Sequence, residues 1–217
     1  MKMKFPFLMS RSPVSAAAAI TLAAFLIYHP SARATSETWT GTPGDGVTWS
    51  ATGNWSNGII TGTTGATTNT DTATFSTTSG TTITVDAGRN LQTITFTGNV
   101  GSFTLSSGSF VLTNGGTIQI AAAATSTGVT ETINTPLVLA GAGYTITNLA
   151  PTASLDLLNI GGNITNIASS GTSTLTLAGT TGTNANTIGG IISDNGVTAA
   201  TGVTKSGAST WVLSAPC

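Results

Sequence analysis

Threonine alternates with aliphatic and aromatic residues in short runs along most of this chain, and the run Thr82-Ile83-Thr84-Val85 shows the pattern. Five further runs repeat it, at residues 93–96, 102–105, 117–120, 145–147 and 174–177. Successive side chains of a β-strand point to opposite faces, so a period of two with β-branched residues predicts strands. The helix-friendly stretch from Ala121 to Ala124 is too short to form a helix alone. The sequence therefore predicts an all-β fold.

Glycine and asparagine separate these runs and mark the predicted turns, because both residues tolerate a positive φ. The turn signals are Asn57-Gly58, Gly98-Asn99, Asn114-Gly115-Gly116, Gly161-Gly162-Asn163 and Asp194-Asn195-Gly196. A spacing of roughly 8 to 12 residues between strands is compatible with a sandwich or with a solenoid. Short, uniform strands with small aliphatic inward positions favour a parallel β-solenoid. We expect coils of roughly 20 to 25 residues, about six of them over residues 81–217.

Residues 35–80 differ from the rest of the chain, since they show little alternation and hold Trp39, Trp49 and Trp55, three of its four tryptophans. Terminal units of solenoids are atypical because they close an open end of the core. We therefore predict an N-terminal cap over residues 35–80. Exposed tryptophan rings can instead stack on sugars, which makes the same three residues the candidate glycan contact.

The segment before Thr35 has the features of a secretory signal. Its positive part contains Lys2, Lys4 and Arg11. An apolar run follows at 16–27, and Ala32 and Ala34 fit the small-x-small rule for cleavage. The apolar run is shorter than the roughly 20 residues that a membrane-spanning helix needs. We expect a signal peptide at 1–34, cleavage after Ala34 and export of a mature chain beginning at Thr35, with a retained N-terminal anchor as the alternative.

The expected mature chain is poor in reactive side chains. It has no histidine, its one cysteine is Cys217, and Arg89 and Lys205 face seven acidic residues, a formal net charge of −5. So few cations cannot neutralise a nucleic-acid backbone or hold an anionic lipid surface. Cys217 has no intrachain disulfide partner. Low charge with abundant Ser, Thr and Gly is also typical of disordered stalks, but the regular alternation argues against that class.

Carboxylates are the remaining conventional catalytic groups. They are Glu37, Asp45, Asp71, Asp86, Glu131, Asp156 and Asp194. Two carboxylates held roughly 5 to 10 Å apart can cleave glycosidic bonds, and several converging ones can bind calcium. The sequence contains no adjacent acidic pair, so we interpret these residues as turn-capping groups. We therefore expect no enzymatic activity, no metal and no cofactor.

Two stretches carry a family resemblance. The first comprises Trp39-Thr40-Gly41, Trp49-Ser50, Gly53-Asn54-Trp55 and Asp71-Thr72-Ala73-Thr74-Phe75. It resembles the opening of many secreted bacterial proteins with autotransporter-associated β-strand repeats. Residues 188–214 resemble one copy of that repeat. Its motif positions here are Gly189, Gly190, Lys205, Gly207, Trp211 and Leu213. Ala208 stands where the family usually has a second glycine.

The resemblance implies a right-handed parallel β-helix passenger, exported and displayed at or beyond the cell surface. Family members usually carry many repeats followed by an outer-membrane barrel or a sorting tail, so a short or truncated N-terminal part is expected here. We predict a non-enzymatic structural or adhesion-like protein whose partner the sequence does not identify. The alternative is a β-helix that binds or cleaves extracellular polysaccharide. Lys205 is expected at a coil corner, as an isolated charge that discourages edge pairing.

Overall fold

A computed structural model of the chain describes residues 35–97, 101–122, 124, 128–151, 155–180 and 184–215. The expected signal peptide, the predicted turn at Gly98-Asn99 and Cys217 lie outside the described residues. Within them the chain is all-β, apart from one turn of 3-10 helix at Thr52–Asn54. The strands are β1 Glu37–Trp39, β2 Thr63–Thr64, β3 Thr72–Phe75, β4 Thr82–Thr84, β5 Arg89–Phe96, β6 Thr104–Ser106, β7 Phe110–Ile120, β8 Thr130–Ile133, β9 Leu137–Leu139, β10 Gly143–Asn148, β11 Leu157–Ile160, β12 Ile164–Asn166, β13 Gly171–Gly179, β14 Ala185–Ile188, β15 Ile192–Ser193, β16 Ala199–Lys205 and β17 Thr210–Leu213.

Parallel pairing organises these strands into long rows. One sheet runs β1-β3-β5-β7-β10-β13-β16 and the other runs β4-β6-β8-β11-β14-β17. Strands β9, β12 and β15 form a third row that joins the first sheet at β7. Only β2 pairs antiparallel, with β5, among the named strands. Neighbours in a row belong to successive coils, and the chain forms a parallel β-solenoid of about 4 turns. The predicted all-β solenoid is confirmed.

The middle coils of the solenoid are longer than the sequence predicted. One column of paired residues runs Ile83, Leu105, Ile133, Ile160, Ile188 and Leu213. Between Leu105 and Ile188 the column makes three steps, and each step spans more residues than the roughly 20 to 25 expected per coil. The expected coil length of roughly 20 to 25 residues was therefore too short for these middle coils. Corner insertions explain the difference. The pairing of β5 with β7 shifts register between Leu91 and Thr93, and the extra residues of β7 include Asn114 and Gly115.

The core is built by stacking aligned residues of successive coils. Ile94, Ile118, Ile146 and Leu177 occupy one column and are all buried. Removing apolar surface from water contributes roughly 25 cal/mol per Å². All six alternating runs contribute residues to strands, and their aliphatic and aromatic positions are buried. The period-two interpretation is therefore confirmed.

The predicted turn at Asn114-Gly115-Gly116 is a bend inside strand β7. Gly115 has φ +79°, which lets the strand change direction without ending. Residues before the bend pair with β9, and residues after it pair with β10. At the predicted turn Gly161-Gly162-Asn163, a Cβ on Gly162 would lie 2.2 Å from the carbonyl oxygen of Thr135. Close stacking of successive corners therefore requires glycine there.

Candidate functional site

The three candidate sugar-stacking tryptophans lie in the core. Trp49 is 0 % exposed, and its ring centroid lies 4.8 Å from that of Trp55 and 5.2 Å from that of Phe110. Trp39 packs edge-on against Trp55 at 5.1 Å. The indole N–H of Trp49 donates to the carbonyl oxygen of Thr61 at 3.0 Å, and that of Trp55 donates to the carbonyl oxygen of Trp49 at 2.8 Å. Protein atoms therefore cover the ring faces that a sugar would use.

A shallow groove lies beside this aromatic cluster. Its lining residues are Trp39, Thr40, Gly41, Thr42, Gly46, Thr77, Thr78, Ser79, Gly80 and Thr81. The groove offers hydroxyl groups and peptide groups, and none of its lining side chains carries a charge. Hydroxyl-rich surfaces can exchange hydrogen bonds with sugars, so this groove is the site at the N-terminal end with chemistry suited to a glycan.

Asp45 has the turn-capping role that the sequence predicted, whereas the carboxylate of Asp86 forms an ion pair. Asp45 Oδ1 accepts hydrogen bonds from the backbone N–H groups of Val47 at 3.0 Å and Thr48 at 2.9 Å, and from Asn54 Nδ2 at 2.7 Å. Hydrogen bonds from Thr48, Val47 and Asn54 lower the pKa of Asp45. Asp86 pairs with the Arg89 guanidinium, whose Nη1 also donates to the carbonyl oxygen of Gly62 at 2.8 Å. The carboxylate of Asp45 therefore holds a turn in place, and that of Asp86 fixes the Arg89 side chain.

The structure brings together two acids that the sequence did not pair, Glu131 and Asp156. Glu131 is 0 % exposed, and its Oε2 accepts the backbone N–H of Phe103 at 2.8 Å. Burial raises the pKa of Glu131 to about 8 and the nearby Asp156 contributes in the same direction, while the Phe103 hydrogen bond opposes the change. Burial therefore favours the protonated, neutral form of Glu131. The separation of the two acids in the sequence, close to the length of one coil, is the signal that would have suggested this proximity.

Neither acid of this pair is accessible to a polymer. Asp156 is also buried, and its Oδ1 accepts the backbone N–H of Val129 at 3.2 Å. Glu131 occupies the column position of Leu158 in the next coil, among inward-facing side chains. A carboxyl group turned into the core cannot protonate a glycosidic oxygen outside it. The arrangement supports a structural role, in which a side chain satisfies a buried N–H group.

The motif residues of the predicted repeat lie together in the last coils. Gly189 and Gly190 follow β14, where a Cβ on Gly190 would lie 2.0 Å from the carbonyl oxygen of Gly162. Lys205 is the last residue of β16, next to the following turn, and its Nζ donates to the carbonyl oxygens of Ser206 at 2.7 Å and Gly207 at 2.9 Å. These contacts fit the predicted position of Lys205 at a corner.

The last described coil exposes much of its inward face. Trp211 is half-buried and donates to the carbonyl oxygen of Ala178 at 3.0 Å, whereas Leu213 is 52 % exposed. An apolar cleft opens here. It is lined by Ile188, Gly190, Ile192, Thr201, Val203, Leu213 and Ala215.

Comparison with protein families, with curated proteins and with solved structures finds no match for this chain. Within the described ranges, no group of three or more His, Cys, Asp or Glu side chains is placed to hold a metal ion. Nor does that part of the chain contain a helix with the length and apolar character needed to cross a bilayer.

Proposed function

We propose that this chain is a non-enzymatic, exported β-solenoid with a structural or adhesion-like role at the cell surface. The single observation that carries the proposal is a set of stacked columns, buried except at the last described coil, under a nearly uncharged surface of Thr, Ser and Asn. Backbone pairing and stacked side chains supply the structure, so the surface needs few reactive or charged groups. A neutral scaffold of this kind suits display and spacing better than it suits catalysis.

Finer features of the proposal come from the sequence and from general rules of β architecture. The resemblance to autotransporter-associated repeats implies a right-handed coil, and the proposal adopts that hand. The aromatic cluster of Trp39, Trp49 and Trp55 would act as the N-terminal cap, because large rings can close an open end of a core. Residues 1–34 would serve as the cleaved signal peptide. The resemblance to autotransporter-associated repeats at residues 188–214 supports a surface passenger.

Localisation in the source cells tests the proposal. Cells producing the full chain are fractionated, and intact cells are treated with a protease before immunoblotting. We expect protein at or beyond the outer surface, with an N-terminus at Thr35 by mass spectrometry. A variant with Ala32→Leu and Ala34→Leu should remain uncleaved, whereas Ala17→Leu, which leaves the cleavage motif intact, should be processed normally. Uncleaved wild-type protein confined to the cell interior would overturn the proposal.

Polysaccharide binding through the groove beside Trp39 is a second candidate function. The observation that favours it is the run of hydroxyl side chains at Thr77, Thr78, Ser79 and Thr81 along one wall. The mature protein should bind specific glycans on an array, and Thr78→Val with Thr81→Val should weaken that binding. Thr145→Val, on a strand away from the groove, is the matched control. No binding to any glycan, or equal loss with the control, would remove this candidate.

A further inference from the structure

Asp71 is a buried carboxylate that forms no ion pair with a Lys or Arg side chain of the described residues. It is 0 % exposed and lies just before strand β3. The ion pair in this part of the chain joins Arg89 to Asp86 instead. Taking a carboxylate out of water is unfavourable unless a cation or several hydrogen bonds compensate. The surroundings of Asp71 therefore decide whether this position stabilises or destabilises the fold.

Four hydrogen bonds converge on the two oxygens of Asp71. The backbone N–H of Thr35 donates to Oδ1, and the Thr35 hydroxyl donates to Oδ2 at 3.0 Å. The backbone N–H of Gly62 and the side-chain amide of Asn69 also donate to Oδ2, each at 3.0 Å. All four donors are neutral while a peptide bond joins residues 34 and 35. Thr35 thus contacts both side-chain oxygens of the buried Asp71.

The surrounding backbone holds this site in position. Asn69 Oδ1 accepts the backbone N–H of Asp71 at 2.6 Å, and the Asp71 carbonyl oxygen accepts the N–H groups of Gln92 and Thr93, each at 3.1 Å. The Ser36 hydroxyl oxygen accepts the backbone N–H of Thr72 at 3.0 Å, which fixes the segment next to Thr35. The nitrogen of Thr35 is therefore directed at a carboxylate that is itself held on several sides.

We propose that cleavage of the bond between Ala34 and Thr35 converts this contact into a buried ion pair between the new α-ammonium group and Asp71. Water adds across the peptide bond, leaving a carboxylate on Ala34 and an amine on Thr35 that takes up a proton from solvent. The inference rests on the proposed export, because the signal peptidase reaction supplies the cleavage. The Asp71 carboxylate already strengthens the hydrogen bond from Thr35, and a positive charge on the donor adds Coulomb attraction to it, so we expect the processed chain to be more stable than its precursor.

A double-mutant cycle on the mature chain measures the pairing. The four proteins combine a free or an enzymatically acetylated Thr35 α-amino group with Asp71 or Asp71→Asn, and urea unfolding is followed by circular dichroism. Acetylation should raise the unfolding equilibrium constant of the Asp71 protein by about tenfold for each unit by which the pair shifts the amine pKa. It should change the Asp71→Asn protein much less. Equal effects of acetylation in both proteins would overturn the inference.

Titration of the α-amino group keeps the proposal testable where Asp71→Asn does not fold. With Thr35 labelled by ¹⁵N, the amine should titrate above the ordinary range of about 7.7–8.0. A pKa within or below that range would overturn the inference. The free-amine protein should also lose stability as pH rises through the raised pKa, because its folded state holds the proton more tightly than its unfolded state. The acetylated protein should lack this loss.

The two proposals fail in different ways. An exported chain beginning at Thr35 with an unshifted amine would leave the proposed export intact and remove the ion pair. A chain that stays inside the cell, or whose mature N-terminus is another residue, would remove the proposed processing and this inference with it. Mass spectrometry of the recovered protein distinguishes these outcomes before any titration is made.

Discussion

At the N-terminal end of the described core, three tryptophan rings pack against one another and against phenylalanines, whereas the last coil leaves valine and leucine side chains in solvent. The contrast is clearest within one column, where Leu105 is 0 % exposed and Leu213 is 52 % exposed. The two leucines have the same chemistry and the same inward position. The contribution of an inward side chain to the free energy of unfolding therefore depends on whether neighbouring coils cover it.

The two ends also differ in how their indole N–H groups are hydrogen-bonded. Near the aromatic cluster, indole N–H groups and carbonyl oxygens pair inside the core. In the last coil, Trp211 donates to both the carbonyl oxygen of Ala178 and the hydroxyl of Ser209, each at 3.0 Å, on a half-buried surface. We therefore expect equivalent substitutions to have unequal effects at the two ends.

The largest effect is expected from removing a ring of the aromatic cluster. Trp49→Ala deletes a fully buried side chain and leaves a cavity, so the free energy of unfolding should fall by about 3–5 kcal/mol. Trp211→Ala removes a half-buried ring and should lower it by about 1–2 kcal/mol. Urea unfolding followed by far-UV circular dichroism measures both. Similar losses for the two variants would contradict the expectation that the N-terminal end is better covered than the last coil.

A matched pair within one column tests coverage directly. Leu105→Ala removes a buried side chain between two coils and should lower the free energy of unfolding by about 2–5 kcal/mol. Leu213→Ala removes an exposed side chain and should change it by no more than about 1 kcal/mol. Both variants are measured by the same denaturant titration. A large loss for Leu213→Ala would mean that the last coil is covered in solution.

The strand runs and most turns could be predicted because they depend on local chemistry. Alternating Thr and Ile specifies a strand wherever one face is buried, and glycine marks close corners. The coil length could not be predicted, because it depends on insertions such as Asn114 and Gly115 that a strand can absorb without ending. The sequence separation of Glu131 and Asp156, by contrast, lies inside the predicted range of coil lengths, so their proximity could have been predicted. The sequence around Trp39, Trp49 and Trp55 contains no local pattern that distinguishes a buried ring from an exposed one.

Glu131 should make the core sensitive to pH. Burial raises its pKa to about 8 from an ordinary value of 4.5, so between these values the folded state binds a proton that the unfolded state releases. The free energy of unfolding should then fall as pH rises through that window, by at most about 1.4 kcal/mol per pH unit. Glu131→Gln should flatten this slope and stabilise the protein at pH 8 relative to wild type. Unfolding titrations at pH 5, 6, 7 and 8 measure the slope.

Asn186 provides the converse of that experiment. Its Oδ1 accepts the backbone N–H of Leu158 at 2.9 Å, much as Glu131 accepts the N–H of Phe103. Because the amide does not titrate, Asn186→Asp should add a new loss of stability with rising pH. An unchanged slope in both Glu131→Gln and Asn186→Asp would show that these buried positions remain solvated.

Substitution of Lys205 should have the smallest effect on the free energy of unfolding. It should instead change self-association. Lys205 follows Ile146 and Leu177 in an otherwise aliphatic column and ends the edge strand β16. A charge on an exposed edge discourages pairing with another chain. Lys205→Leu should therefore change the free energy of unfolding by no more than about 0.5 kcal/mol but promote self-association, measured by sedimentation velocity at increasing concentration. Lys205→Arg keeps the charge and should sediment like wild type. If Lys205→Leu does so too, this charge is not what limits association at the last coil.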